Sequence, residues 1–404
     1  MTNILYSSMC CSTRLANEVL EKTKQDPGFQ IIKFTQLLLK GINAQEGTMV
    51  TCLCGLRQKT KLFWHEKDEI EDSIKYHYLP TISIMLIRQL FLYLCAFVYT
   101  IKWAISHKGD KAIICDIFAS SVSMGTRDAA KLLGIKTCAI ITDIPGQVVT
   151  TINTKNPILK LLLKIRTPIG KRNLHKYDSY IFLTQAMNEV INKKGVPYIV
   201  MEGMVNYNEQ LNNLNKQKPR IIFYAGALVE QFGVKALVDA IMLSKHQDIE
   251  LHLYGDDKKS GFIEYIKKCS DKDKRIVYKG IAKNEDIIRA EQAATLLVNP
   301  RFTNQEFTKY SFPSKNMEYM VSGTPLLTTR LPGMPKEYND YVYLFDEETA
   351  EGYAKKIDEI LDLKPELLQT KGTEARQFVL ENKSNIKQAY RVVTLLREVI
   401  KDAK

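Results

Sequence analysis

The chain has 404 residues, 45% of them hydrophobic and 25% charged, with a net charge of +12. Those proportions exclude a disordered, collagen-like or wholly membrane-embedded chain and leave room for two domains with separate cores. The charge is uneven: residues 1–206 hold 26 Lys/Arg against 16 Asp/Glu, or +10, leaving +2 for the remainder. An acidic partner is therefore expected at the first half. No helix-turn-helix, zinc-finger or aromatic-rich RNA motif accompanies the charge, so an anionic membrane surface or a pyrophosphate-bearing molecule fits better than nucleic acid.

Along the chain, strand and helix patterns alternate. Asn3–Ser8 reads as a strand and Thr13–Lys24 as a helix; Gln30–Phe34 and Met49–Leu53 read as further strands. Met1-Thr2-Asn3 leads straight into the first strand, with no charged n-region of a signal peptide. Ile82–Ile105 is membrane-like, but its uncharged part, Gln89–Ile101, is short for a span of about 20 residues. It is open to reading as a core helix, a helix lying on a membrane, or a true span. Ala112–Asp116, Lys136–Thr142 and Tyr180–Thr184 read as buried strands, with helices over Ser123–Leu133 and Gln185–Lys194. Asn156–Lys176 is apolar and basic without an acid, as a membrane-surface helix or the solvated face of a core helix would be.

The polar stretch Asn206–Pro219 reads as a linker, after which the alternation restarts. Strands are expected at Arg220–Ala225, Glu250–Tyr254, Arg275–Tyr278 and Thr295–Val298, and helices at Val234–Leu243, Phe262–Cys269 and Asn284–Gln292. A closing helix is expected at Asn385–Lys401. Two βα series in one chain give an α/β fold of two Rossmann-like domains. Seven of the eight cysteines lie within residues 1–138, mostly in apolar runs without zinc spacing, which suits reduced thiols in a cytosolic protein. The six histidines show no metal or triad spacing, and no motif calls for a metal.

In an open parallel sheet ligands sit beyond the carboxyl ends of the strands. In the second half those positions hold Gly226, Gly255, Gly280, Asn299-Pro300 and the segment Ser311-Phe312-Pro313-Ser314-Lys315-Asn316-Met317-Glu318. That segment opens a helix after a buried strand and is stopped by Ser322-Gly323-Thr324-Pro325. Exposed N–H groups and the helix dipole would hold phosphate there, with Lys315 as a cation and Glu318 accepting two hydroxyl hydrogen bonds.

The same stretch resembles the donor site of family 4 glycosyltransferases of GT-B fold, of the bacterial surface-polysaccharide type. Glu318 takes the second Glu position of the family pattern, and Gly323 and Pro325 fit its turn. The resemblance implies two facing Rossmann-like domains with a cleft between them. It gives an acceptor and membrane-side domain at 1–206, a linker at 207–219, a nucleotide-sugar domain at 220–384, and a C-terminal helix at 385–404 crossing back. Gly255, Gly280, Ile281 and Ala282 would flank the base, Glu318 the ribose, and Ser311 to Lys315 the diphosphate. The sequence departs from the pattern in three places. Tyr310 stands where a Glu would contact the sugar, and Asp143 stands where a His is common. Ala227 and Phe232 replace the Arg and Lys that clamp the diphosphate, leaving Lys315 or Arg14 to substitute. Asp143 either orients a sugar hydroxyl or caps the loop before Pro145; Asp116 is a weaker candidate.

The implied activity is retaining transfer of a sugar from a nucleotide-diphosphate donor, with a UDP-sugar favoured. The acceptor would be lipid-linked or a growing polysaccharide, at the cytoplasmic face of the cell membrane, as in capsule or exopolysaccharide synthesis. No cofactor is implied beyond the donor substrate. A nucleotide-sugar epimerase and a non-catalytic donor-binding partner subunit stay open. A dinucleotide dehydrogenase is disfavoured, because no Gly-x-Gly-x-x-Gly follows the first strand.

Overall fold

In the computed structural model the described residues are 1–23, 28–56, 62–144, 172–211, 216, 218–257 and 260–402. The chain divides into two compact units, Met1–Met204 with Ser384–Lys404, and Val205–Lys383.

Unit 1 begins with β1 (Thr2–Ser8), α1 (Thr13–Thr23), α2 (Phe29–Asn43) and β2 (Thr48–Cys54). A ribbon region follows, with β3 (Phe63–Trp64), β4 (Glu69–Glu71), β5 (Ile74–Tyr78) and β6 (Thr81–Ile82). Then come α3 (Met85–Ser106), β7 (Asp110–Asp116), α4 (Ser120–Leu132), β8 (Lys136–Ile141), β9 (Ser179–Phe182), α5 (Gln185–Ile191) and β10 (Tyr198–Val200). Eight strands form one sheet in the order β10-β9-β8-β7-β1-β2-β5-β4. All its pairs are parallel except β4 on β5. Strands buried on both faces need continuous apolar runs, and Ile4, Leu5, Ile113, Ile114, Ile140 and Ile181 supply them.

Gln30–Phe34, expected as a strand, lies inside α2. Ile32, Thr35, Leu38, Leu39 and Ile42 are its buried residues, a helical spacing that extends beyond the short apolar run and overrides it. Most of Asn156–Lys176 falls outside the described residues.

Unit 2 starts with β11 (Arg220–Ala225), α6 (Val234–Leu243), β12 (Ile249–Tyr254), α7 (Phe262–Lys272), β13 (Ile276–Gly280), α8 (Asn284–Ala293) and β14 (Leu296–Asn299). It continues with α9 (Ser314–Val321), β15 (Leu326–Thr328), β16 (Tyr343–Leu344), α10 (Ala350–Leu361) and α11 (Pro365–Lys383). Its sheet is wholly parallel, in the order β13-β12-β11-β14-β15-β16. That is the doubly wound order, and the strand order reverses between β11 and β14. One buried cluster packs α6, α7 and α10 on one face of the sheet. A second packs α9 and α11 on the other.

The closing helix α12 (Asn385–Lys401) belongs to unit 1. Ser384 caps it through the Lys387 N–H. Its Ala389, Val392, Val393 and Leu396 join the unit 1 core. It meets α2 at Gly41, where a Cβ would lie 2.3 Å from the Asn385 carbonyl oxygen and 2.8 Å from Ala389 Cβ. Gly41→Ala is therefore expected to cost about 1–3 kcal/mol of unit 1 stability, because a backbone carbonyl has to move. Chemical denaturation followed by a unit 1 probe such as Trp103 checks it.

Candidate functional site

The carboxyl ends of β11, β12 and β13 are tied together through backbone. Gly226 N–H donates to Tyr254 C=O at 2.9 Å, and Gly255 N–H donates to Gly280 C=O at 2.9 Å. Gly255 has φ +135°, and a Cβ there would lie 1.8 Å from the Gly226 carbonyl oxygen. Only glycine fits so close an approach. Gly226, Gly255 and Gly280 thus form one side-chain-free platform. Ile281, just past it, is exposed, and Ala282 is half-buried.

Helix α9 faces this platform from the other side of the strand reversal. Tyr319 Oη accepts from Ala225 N–H at 2.9 Å and donates to Ala225 C=O, pinning the helix to the end of β11. Its N-terminus at Pro313 carries no side-chain cap. Ser314 and Glu318 are exposed, while Pro313 and Phe312 are buried. Lys315 and Glu318 are three apart and share a face of the helix. Phe312 packs on Tyr338 with 5.3 Å between ring centroids, so its side chain anchors the loop in the core. Asn299 donates to Asn316 Oδ1 at 2.6 Å, and both are buried; its amide therefore braces β14 against α9. Ser311 Oγ donates to Phe307 C=O, and Tyr310, half-buried, ends the 3-10 turn Glu306–Lys309.

Lys315 runs back along Gly226. A Cβ at Gly226 would lie 2.8 Å from Lys315 Cε. Burial lowers the Lys315 pKa, Glu318 and Glu291 oppose that shift, and the Arg301 charge adds to it. Arg301 follows β14 directly and was not singled out from the sequence. Its guanidinium lies 4.8 Å from the Phe232 ring centroid and 5.5 Å from that of Phe307. Burial lowers its pKa too, with Tyr224 opposing. Among the described residues neither the Lys315 nor the Arg301 side chain makes an ion pair or a hydrogen bond.

The turn that presents Phe232 depends on Gly233, at φ +76°, whose Cβ would lie 1.8 Å from the Pro300 carbonyl oxygen. The loop after β11 therefore lacks a cation of its own. It instead supplies an aromatic face that holds the cation arriving from β14. A lone Arg after Asn299-Pro300 carries no local sequence signal; only the β11–β14 pairing brings it to Phe232.

In unit 1 the corresponding helix start is already occupied. Thr13 N–H donates to Glu71 Oε2 at 2.9 Å, and Leu15 N–H donates to Ser12 Oγ at 3.1 Å. Arg14, expected as a stand-in clamp, pairs with Glu69 at 2.8 Å, Glu18 at 2.9 Å and Glu66 at 3.6 Å. Its charge is answered by carboxylates, unlike those of Lys315 and Arg301. Asp116 is buried and accepts from Ser8 Oγ at 3.4 Å. Asp143 follows β8, half-buried, and burial pushes its carboxyl up to about 6. Among the described residues no group of three or more His, Cys, Asp or Glu is placed to hold a metal ion.

Residues 206–378 match the family described as Glycosyl transferases group 1, which is nearly all of unit 2 and less than half of the chain. The match falls within the second unit. No curated protein matches the sequence. Whole-chain likeness to solved structures is broad. A glycosyltransferase from Rickettsia africae superposes with TM-score 0.65 at 15% identity, covering 99% of each chain. Sucrose-phosphate synthase from Thermosynechococcus elongatus gives 0.64 at 16%, covering 100% of each. The E. coli trehalose-6-phosphate protein bound with UDP-2-fluoro glucose gives 0.63 at 10%, covering 98% of this chain and 99% of that one. The fold is GT-B, built of two Rossmann-like domains.

Four outcomes follow, three for unit 2 and one for Asp143. Lys315 carries its burial penalty while it is charged, and the penalty fades as pH climbs from the lowered pKa to the ordinary one. Lys315→Met should therefore raise the Tm of the free protein at pH 7 while removing its stabilisation by pyrophosphate, both read by thermal melts. Gly226→Ala meets Lys315 Cε at 2.8 Å and the buried Tyr224 hydroxyl at 2.9 Å, so it should lower Tm and weaken pyrophosphate stabilisation. Gly255→Ala meets backbone at 1.8 Å and should leave little folded protein. Asp143 has the opposite sign of charge and a raised pKa, so its penalty is absent below the ordinary carboxyl pKa, grows as pH climbs from there to about 6, and is full above it. Asp143→Asn should stabilise at pH 7.5 and make no difference at pH 3.5.

Proposed function

We propose that the chain is a glycosyltransferase that moves a sugar from a nucleotide-diphosphate donor to a hydroxyl acceptor. The observation that carries this reading is the pair Lys315 and Arg301, two desolvated cations without an anionic partner beside an uncapped helix start. Two phosphates bridged by one oxygen match that pair in charge. The transferred sugar leaves when the bond from its C1 to the β-phosphate oxygen breaks and the electron pair stays on that oxygen. Charge develops where Lys315, Arg301 and the first N–H groups of α9 converge, so they stabilise the transition state more than the ground state. The acceptor oxygen bonds to C1 and its proton is released. Glu318, exposed on the same face of α9 as Lys315, takes the ribose hydroxyls. The Gly226–Gly255–Gly280 platform lets the nucleoside lie against backbone.

A UDP-sugar is the preferred donor in this reading, supported by the UDP-2-fluoro glucose bound in the E. coli relative. The finer assignments are a hexosyl group, retention at C1, a lipid-linked or growing surface-polysaccharide acceptor, and a place at the cytoplasmic face of the membrane. They rest on the Ser311–Glu318 motif and the +10 charge of residues 1–206. Asp143 belongs to the first unit and would serve the acceptor side. No metal or cofactor takes part in this scheme.

The test is release of nucleoside diphosphate from a panel of nucleotide sugars, with bacterial membranes as acceptor. Membrane-dependent release by the native protein is expected. Arg301→Ala should lower kcat/KM by about 10²-fold or more, in keeping with loss of one oxyanion-stabilising donor. Glu318→Ala should act mainly on KM. Donor binding without release in every acceptor mixture would instead identify a non-catalytic subunit, and an isomerised donor without release would identify an epimerase.

A further inference from the structure

Helix α3 has two unlike faces. Leu92, Ala96, Thr100 and Trp103 are buried. On that side the helix lies close on α4, where a Cβ at Gly125 would be 2.2 Å from the Tyr93 carbonyl oxygen. The other face exposes Ile87, Leu90, Leu94 and Val98, at three- and four-residue spacing, each about half accessible to solvent or more. The stripe continues past its N-terminal end. Phe63 in β3 pairs with Ile82 in β6, just before α3, and Leu62 C=O accepts from Ser83 N–H. Leu62 and Phe63 are exposed by 71% and 57%. Two elements of separate sequence origin therefore present one apolar surface, larger than scattered surface residues explain.

The charges around that surface identify its occupant. α3 contains Arg88 and Lys102 and no Asp or Glu. Arg88 stands at one end, and its Nε is buried with no hydrogen-bond partner. Lys102 is exposed on the far part of the stripe, four residues beyond Val98. A second copy related by a two-fold axis would set these cations against their own kind, with no acid on the helix to answer them. A layer of acyl chains edged by phosphate groups answers both features. By length and composition the segment Ile87–Ser106 could cross a membrane, but its inner face is packed within unit 1. It therefore lies along the surface, over about 27 Å of helix from Ile87 to Ile105.

We propose that the exposed face of α3, with Leu62 and Phe63, is the surface by which this protein seats on an anionic lipid bilayer. The proposal rests on the membrane-side reading above and gives it a place in the molecule. Lys102, exposed on the stripe, reaches the lipid phosphates, and the aliphatic stripe enters the acyl boundary.

The experiment is co-sedimentation of the full chain with phosphatidylglycerol/phosphatidylcholine vesicles and with phosphatidylcholine vesicles alone. It compares the native protein with the double variant Leu90→Glu/Leu94→Glu. UDP binding by calorimetry is measured on both proteins in parallel. The expected result is binding to the anionic vesicles that falls with added salt and drops about tenfold or more in the variant. UDP binding should be the same in both proteins, because the substitutions lie in unit 1; near-UV circular dichroism of the unit 1 tryptophans Trp64 and Trp103, unchanged in the variant, shows that unit 1 is folded. Equal vesicle binding by the two proteins overturns the proposal, as does equal binding to neutral and anionic vesicles. A native dimer in light scattering that the variant lacks, without vesicle binding by either, also overturns it and makes the face a contact between copies. Loss of UDP binding in both proteins would count against the donor-site reading and not against this surface.

Discussion

Two positive charges, Lys315 and Arg301, are held in unit 2 where water is scarce. Around them are two phenylalanine faces, backbone of the β11 turn, and the carboxylates of Glu318 and Glu291 beyond ion-pair reach. An arrangement of this kind lowers the stability of the free protein, since each charge loses hydration and neither gains a close partner. It persists because the surrounding structure fixes it. The Tyr319 hydroxyl clamps α9 to the end of β11, the Asn299–Asn316 pair braces β14 against α9, and Gly233 brings Phe232 up against Pro300. Each of these contacts joins the same three elements at the point where strand order reverses. The geometry of the site is thus a consequence of the fold's topology, and its charge is what the fold leaves unanswered.

The two units treat the same structural opportunity differently. Both have helices that start beyond the carboxyl end of a parallel strand. In unit 1 the start of α1 is answered by Glu71 and Ser12, and Arg14 by three carboxylates. In unit 2 the electropositive end belongs to α9, uncapped and beside two cations. An added anion would have to displace protein carboxylates in the first case and would displace only water in the second. That difference favours unit 2 for the phosphate chemistry proposed above. The match of residues 206–378 to a glycosyltransferase family falls on the same unit.

Much of this was legible from sequence. Alternating apolar runs and glycine stops marked most strands within a residue or two, because a parallel sheet buried on both faces requires them. The Ser311–Glu318 segment announced its helix start. Gln30–Phe34 misled because a short apolar run fits strand and helix alike, and the deciding residues, Leu38, Leu39 and Ile42, lie beyond it. The small β3–β6 ribbon and the β4–β5 hairpin left little trace, being two to five residues long. Arg301 was missed for a different reason. Its partners Phe232 and Lys315 are distant in the chain, and only strand pairing brings them to it. The absence of cations at Ala227 and Phe232 was readable, whereas the compensation was not.

The central claim is that Lys315 and Arg301 form an anion site, and Lys315 reports on it directly. Its side-chain pKa can be followed by NMR of isotopically labelled lysine, with Lys315→Arg for assignment, in the free protein and with saturating UDP. The account predicts a value below the ordinary lysine range in the free protein and a clear rise when UDP binds, as a phosphate restores the charged form. An ordinary value in the free protein, or one that UDP leaves unmoved while binding is shown by calorimetry, would contradict it.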